Sequence, residues 1–373
     1  MPTLRTGFES LRVKPAGSTR TPWWAWTWQV LALVIMGVQA ILGPSFPISA
    51  AESVALVGTV FAAVYHVEVV AHRVGEPFGS LVLAVAVTII EVALIVSMMV
   101  AGRADTTGLA RDTVFAAVMI VCNGIVGLCL LAGGLRHREQ VFQLQGAQAA
   151  LSVIIPLTTL TMVIPNVTST TIGPTFSSSQ LVFVAIVSLT LYGSFLFVQT
   201  VRHRDYFLPE RGEENTHALP PTNRVAMISA GFLLVSLVLV VALAKRLTPA
   251  LELAITRAGA PRTVVGIAIA GLVLLPEGLA SYRAARANRL QTSMNLALGS
   301  VLATIGLTIP AVAGVSILLE KPLTLGLSAK EELLLALTLI VSLLTIGTGR
   351  TTVLQGIVHL VVFAAFLLLS VVP

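Results

Sequence analysis

Glu91 and Glu277 are the side chains of this sequence with the strongest claim to chemistry. Each is the only ionisable group in an apolar run long enough to span a bilayer, 81–100 for Glu91 and 264–280 for Glu277. A charge at the centre of a membrane helix costs roughly 2.5–3.5 kcal/mol on insertion scales, so such residues mark ion paths, proton relays and binding sites. Carboxylate oxygens suit hard cations, and Ca2+ takes about 6–8 oxygen ligands with no need for nitrogen or sulfur. The same carboxylates take protons. A pair that holds either one Ca2+ or up to two protons is an exchange site, because competition at shared ligands couples the two fluxes.

Neutral oxygens stand near both glutamates in sequence. Thr88 precedes Glu91 by three residues, and Asn123, Ser300 and Thr304 lie in the two spans that follow the glutamate spans. Together with Glu91 and Glu277 these are the expected cation and proton ligands. Pro276 lacks a backbone donor and is expected to loosen the helix just before Glu277, freeing carbonyls as ligands. Zn2+ or Cu+ would call for His or Cys, and the deep cysteines, Cys122 and Cys129, share one span. They read as small buried apolar residues. His66, Glu68, His72 and Glu76 cluster around the cytoplasmic end of the second span. They form either a vestibule that attracts cations and relays protons or an ordinary interfacial patch. Asp112 starts its helix at the outer face, where a carboxylate favours the N-terminal dipole; an outer cation funnel is the alternative. Gln355 and His359 read as helix–helix hydrogen-bonders. Tyr192-Gly193-Ser194 has no G-x-S-x-G context and no evident His partner, which argues against an intramembrane serine protease.

The elements that must position these residues are membrane helices. The 373 residues are 56% hydrophobic and 11% charged, against roughly 25% charged in soluble domains. A span needs about 20 mostly apolar residues. Eleven are expected, at 26–42, 50–71, 78–101, 113–135, 146–164, 181–201, 225–244, 264–284, 294–318, 333–348 and 353–372. The net charge of +6 is no nucleic-acid signature. The basic residues sit in short loops, without interleaved aromatics. With the N-terminus inside, 15 Lys and Arg face the cytoplasm and 8 the other side, the positive-inside pattern. This puts the C-terminus on the periplasmic side.

The fold expected is an all-α polytopic membrane protein. Residues 1–49 give a basic cytoplasmic arm and the first helix, and 50–201 a first set of five helices. A polar cytoplasmic linker occupies 202–224, and a second set of five fills 225–373. Glu91 and Glu277 each fall in the second span of their set. A repeat with an odd number of spans is inverted relative to its partner, and inverted repeats meet at midplane sites.

Several blocks resemble the bacterial ChaA-type calcium/proton antiporters, of the cation/proton branch of the calcium/cation antiporter superfamily. They are 72–79, 88–95, 110–119, 133–139, 274–278, 288–300 and 348–356, so the likeness runs from about His66 to the C-terminus. It implies eleven helices in two inverted five-helix repeats, and calcium efflux driven by inward protons. In some members it implies sodium or potassium exchange. The branch typically carries Gly-Asn-Ala-x-Glu in each repeat. Here Glu91 and Glu277 match, but Val87-Thr88-Ile89-Ile90 and Leu274-Leu275-Pro276 replace the residues before them. Asn123, Gly299, Ser300 and Thr304 fall where the superfamily places its second polar helix.

The expected function is a secondary cation/proton antiporter of the bacterial inner membrane, working by alternating access and not an enzyme. Its substrates are Ca2+ and H+, its surroundings the lipid bilayer. No cofactor is expected, and since no G-x-x-x-x-G-K-[ST] motif for ATP occurs, the proton gradient is expected to supply the energy. A Na+ or K+/proton antiporter of the same architecture is the alternative, and a cation channel a more distant one.

Overall fold

The computed structural model describes residues 21–75, 78–101, 107–208, 221–257, 259, 261 and 263–372. The described residues are mainly helical, with a two-residue pairing of Gln140–Val141 with Arg350–Thr351 and an isolated bridge between Thr175 and Thr324. Eleven helical rods follow one another. They are α1 (Trp24–Leu42), α2 (Phe46–Val74), α3 (Phe78–Ala101), α4 (Leu109–His137), α5 (Leu144–Asn166) and α6 (Ser178–Arg202). Then come α7 (Asn223–Arg257), α8 (Thr263–Arg286), α9 (Leu290–Leu318), α10 (Ala329–Ile346) and α11 (Val353–Val371). Among the described residues, nine helices are long and apolar enough to cross a membrane; α3 offers a shorter apolar stretch, Val85–Met99, and α10 is 18 residues long.

Local sequence sets the ends. Ser177 with Gln180 starts α6 in a capping box that satisfies two backbone donors, and at α10 and α11 the side chains of Glu331 and Gln355 accept from the backbone N–H of Ser328 and Thr352. Gln355 is therefore a cap, not the helix–helix contact its spacing from His359 suggested. Gly43 and Gly75 close α1 and α2 at φ of 78°, a conformation that costs glycine little. Helix α8 runs unbroken through Pro276, so the break expected there is absent, although Pro276 leaves Leu272 O without its helical donor. Irregularity comes instead as π-helical segments: 120–125 in α4, 159–163 in α5, 198–202 in α6 and 304–308 in α9.

The buried side chains form two cores. One gathers α4, α5, α6, α9, α10 and α11 around Phe115, Leu151, Ile154, Val301 and Ile305. The other gathers α1, α2 and α7 around Ala55, Val60, Val240 and Leu243. Helices α3 and α8 belong to both. Val87, Ile90, Leu94 and Met98 of α3, with Val265, Ile269 and Val273 of α8, face the second core. Ile95 and Met99, with Ala270, Leu274 and Ala285, face the first. Helical spacing puts Thr88 and Glu91 on the same stripe as Ile95, and Glu277 on the same stripe as Leu274.

Helix α1 packs on α2 and α7. Trp28 lies flat over Gly58, where an added Cβ would sit 2.1 Å from the indole. Gln29 Nε2 donates to Ser236 Oγ of α7 at 2.7 Å. Near the far end, Gln39 donates to Glu52 of α2 at 3.0 Å and accepts from Arg246 of α7 at 2.6 Å.

The face holding the start of α1 is the inner one in the charge-bias reading. Its connections are joined by side-chain amides and by His137, whose Nε2 lies 3.1 Å from Arg286 O. Gln140 Nε2 donates to Ala285 O (2.9 Å) and Asn288 Oδ1 (3.0 Å), while Gln291 Oε1 accepts from Gln143 N at 2.6 Å. Asn295 Nδ2 donates to Phe207 O at 2.6 Å.

Candidate functional site

Helices α3 and α8 bring Glu91 and Glu277 to α9. Ser300 Oγ donates to Glu277 Oε2, and Thr304 Oγ1 donates to Glu91 Oε2 at 2.9 Å. The two carboxylates are close enough to interact electrostatically. Glu91 is 2% exposed and Glu277 8%. Thr88 is buried one turn before Glu91.

Small residues let the helices meet here. A Cβ on Gly278, next to Glu277, would lie 2.9 Å from Ile125 in the π segment of α4. A Cβ on Gly306 would lie 2.6 Å from Tyr192 Cβ, so glycine lets α6 close on the π segment of α9. Tyr192 is buried and feels the charge of Glu277. Among the described residues no three His, Cys, Asp or Glu side chains group as metal ligands. The centre is therefore two carboxylates and neutral oxygens, a donor set for hard cations and protons.

Asn123 does not join it. Its amide donates to Thr338 Oγ1 of α10 at 2.9 Å and its Oδ1 meets His359 Nδ1 of α11 at 3.2 Å. His359 Nε2 contacts Thr345 Oγ1 at 3.0 Å. This buried network faces α10 and α11, and the amide is used up in holding them. The π segment that contains Asn123 changes the helix register, which the 3.6-residue periodicity of the sequence does not reveal.

The expected vestibule separates into unlike parts. His66 is fully buried, with Nε2 3.1 Å from Ala25 O and its ring stacked on Phe232; it packs α1, α2 and α7 together and opens to no vestibule. Glu68 is exposed and interacts electrostatically with Arg283 of α8. His72 is half-buried near the end of α2, and Glu76 lies outside the described residues. Asp112 sits in the first turn of α4 but does not cap it; Arg111 holds it at 2.7 Å.

Two functional candidates were not drawn from the sequence. Thr308 stands four residues beyond Thr304, and the recurrence Ser300, Thr304, Thr308 was the available signal. Glu52 is a fully buried carboxylate; lying near the edge of its apolar run, it did not stand out as an intramembrane charge.

Comparison with known proteins places this arrangement. The family model described as sodium/calcium exchanger protein matches residues 44–201 and 228–372. A Sinorhizobium fredii (strain NBRC 101917 / NGR234) protein, y4hA, named as an ionic transporter, is 49% identical over 359 residues, covering 95% of this chain and 98% of that protein. The sodium-potassium/proton antiporter ChaA of Escherichia coli (strain K12) is 36% identical over 346 residues, covering 91% and 93%. The solved structure of YfkE, a Ca2+/H+ antiporter, superimposes with a TM-score of 0.72 at 17% identity, covering 94% of this chain and 99% of that one. That likeness speaks for the fold.

Proposed function

The chain belongs to the sodium/calcium exchanger protein family, in its cation/proton branch, and from that membership we infer a secondary antiporter that exports Ca2+ from the cytoplasm in exchange for H+. The observation that carries this reading is the convergence of Glu91 and Glu277, from two different helices, on the hydroxyls of α9 inside an apolar body. The site takes one Ca2+ or up to two protons. Bound protons remove the charge that holds the cation, and a bound cation excludes the protons, so each passage is an exchange. Ser300 and Thr304 add hydroxyl oxygens, and Thr88, buried one turn before Glu91, is proposed as another.

Eleven transmembrane helices are proposed, with the N-terminus cytoplasmic and the C-terminus periplasmic. Helices α2–α6 and α7–α11 form two inverted repeats, 50–201 and 225–373, joined by the 202–224 linker in a bacterial inner membrane. The two cores support alternating access. Helices α3 and α8 lie between them, so relative movement of the cores would open the carboxylates to one side at a time.

Ca2+-dependent proton flux in everted membrane vesicles tests the reading. Glu91→Gln and Glu277→Gln should each bring Ca2+ exchange to background. Full exchange by either variant would remove that residue from the site, and conductance without proton coupling would make the protein a channel. A second reading, Na+ or K+/proton exchange at the same site, is favoured by the relationship to the sodium-potassium/proton antiporter. Exchange measured with each cation across pH separates the two.

A further inference from the structure

The cations of the two faces are used differently. On the face away from the start of α1, four of them donate to backbone carbonyls. Arg111 reaches Gly326 O at 3.2 Å, Arg246 Met36 O at 2.9 Å, Lys321 Met99 O at 2.6 Å and Lys330 Leu369 O at 2.8 Å. On the face holding the start of α1, amides take that role. Gln140 donates to Ala285 O, Gln291 to Tyr206 O and Asn295 to Phe207 O. These bonds hold the connections after α4, after α6 and between α8 and α9 side by side, and they leave the arginines of those connections over.

Arg136, Arg138, Arg202, Arg204, Arg286 and Arg289 are all exposed. Arg286 lies over the Tyr282 ring at 5.8 Å. Among the described residues the other five side chains make no hydrogen bond or ion pair, and nearby Glu139 faces Arg350. Insertion bias counts Lys and Arg alike, yet every cation of these connections that carries a fixed charge is arginine. The planar guanidinium meets two phosphate oxygens at once, which an ammonium does not. All six lie within two residues of the ends of α4, α6, α8 and α9, where a spanning helix reaches the headgroup level. Apolar side chains edge them: Leu135, before Arg136, is 71% exposed and Val201, before Arg202, 66%. A soluble anion gains nothing from such an edge, whereas a lipid brings acyl chains to it.

We propose that these arginines form a binding surface for anionic phospholipid. The guanidinium groups take the phosphodiester of the headgroup, and the exposed apolar residues beside them take its acyl chains. The surface lies at the end of the core built from α4, α5, α6, α9, α10 and α11, away from α1 and α2. It goes beyond the antiport reading and holds whichever cation is carried.

Native mass spectrometry of the delipidated full chain in detergent tests it. The probes are dioleoyl phosphatidylglycerol, dioleoyl phosphatidylcholine with the same acyl chains, and inorganic phosphate. Phosphatidylglycerol should bind more tightly than phosphatidylcholine, and inorganic phosphate should not displace it. One arginine at an anionic membrane surface is worth about fivefold in affinity. Arg136→Gln combined with Arg202→Gln should therefore weaken phosphatidylglycerol by about fivefold or more, and Arg204→Gln combined with Arg289→Gln should do the same. Lys245 and Arg257 are exposed at the opposite face; changing both to Gln removes equal charge and should leave binding as it was. Equal binding of the two lipids, equal loss from the opposite-face pair, or displacement by inorganic phosphate overturns the surface. So does binding that emerges only when Glu210, Glu213 and Glu214 are changed to Gln, because this chain's own acidic stretch is then the occupant.

Discussion

In the proposed exchange, protons and cation compete for Glu91 and Glu277. Apparent Ca2+ affinity should therefore rise with pH, by up to about tenfold per pH unit for each proton displaced. Ca2+ titrations between about pH 6 and 9 check this, and a flat profile would count against shared protonation. The Asn123 network makes the opposite claim about its own residues. Asn123→Leu strands His359 and Thr338, so it should lower stability by about 2 kcal/mol while Ca2+ affinity stays within a factor of about three. Thermal melting and calorimetry on one preparation separate those effects. Glu91, Glu277, Ser300 and Thr304 were legible in the sequence because an intramembrane charge or hydroxyl stands out against leucine and valine. Asn123 was legible as a polar residue but not in its direction, since a π turn shifts a helix face without leaving a mark in composition. His66 and Gln355 misled for a related reason: their partners, Ala25 and the start of α11, are a matter of packing and capping rather than of residue type.

Helix α1 stands outside both proposed repeats, yet it uses its glutamines to join α2 to α7. It should travel with that pair. Cysteines at 29 and 236, where the native side chains lie within hydrogen-bond distance, should tolerate a disulfide with exchange retained; loss on oxidation that reverses on reduction would mean α1 and α7 slide past one another. Gly58→Leu should displace Trp28 and lower the melting temperature by several degrees, without moving the pH dependence of exchange. The helices were readable as apolar runs, and their order held. The misread feature was Pro276. A proline inside a membrane helix is survivable where neighbouring helices re-satisfy the freed carbonyl, and α8 stays continuous where a break was expected.

At the scale of the whole molecule, the division into two cores was beyond reach of the sequence. Both are built from the same Val, Leu, Ile and Ala, and only contact tells Val240 from Val301. Charge bias supports the proposed orientation but says nothing about which helices move together.

The inner-face connections carry a further consequence. Most of their fasteners are amides, Gln140, Gln291 and Asn295, beside one imidazole contact, His137 Nε2 with Arg286 O at 3.1 Å, and the ion pair between Arg350 and Glu139 there is exposed and long at 3.5 Å, a type of little worth. Uncharged fasteners neither titrate nor weaken with screening. A machine proposed to carry cations and protons is thus bolted together at this face mostly with parts that salt does not dissolve. Its melting temperature should stay nearly level up to about 0.5 M salt, while its exchange rate over the same range does not.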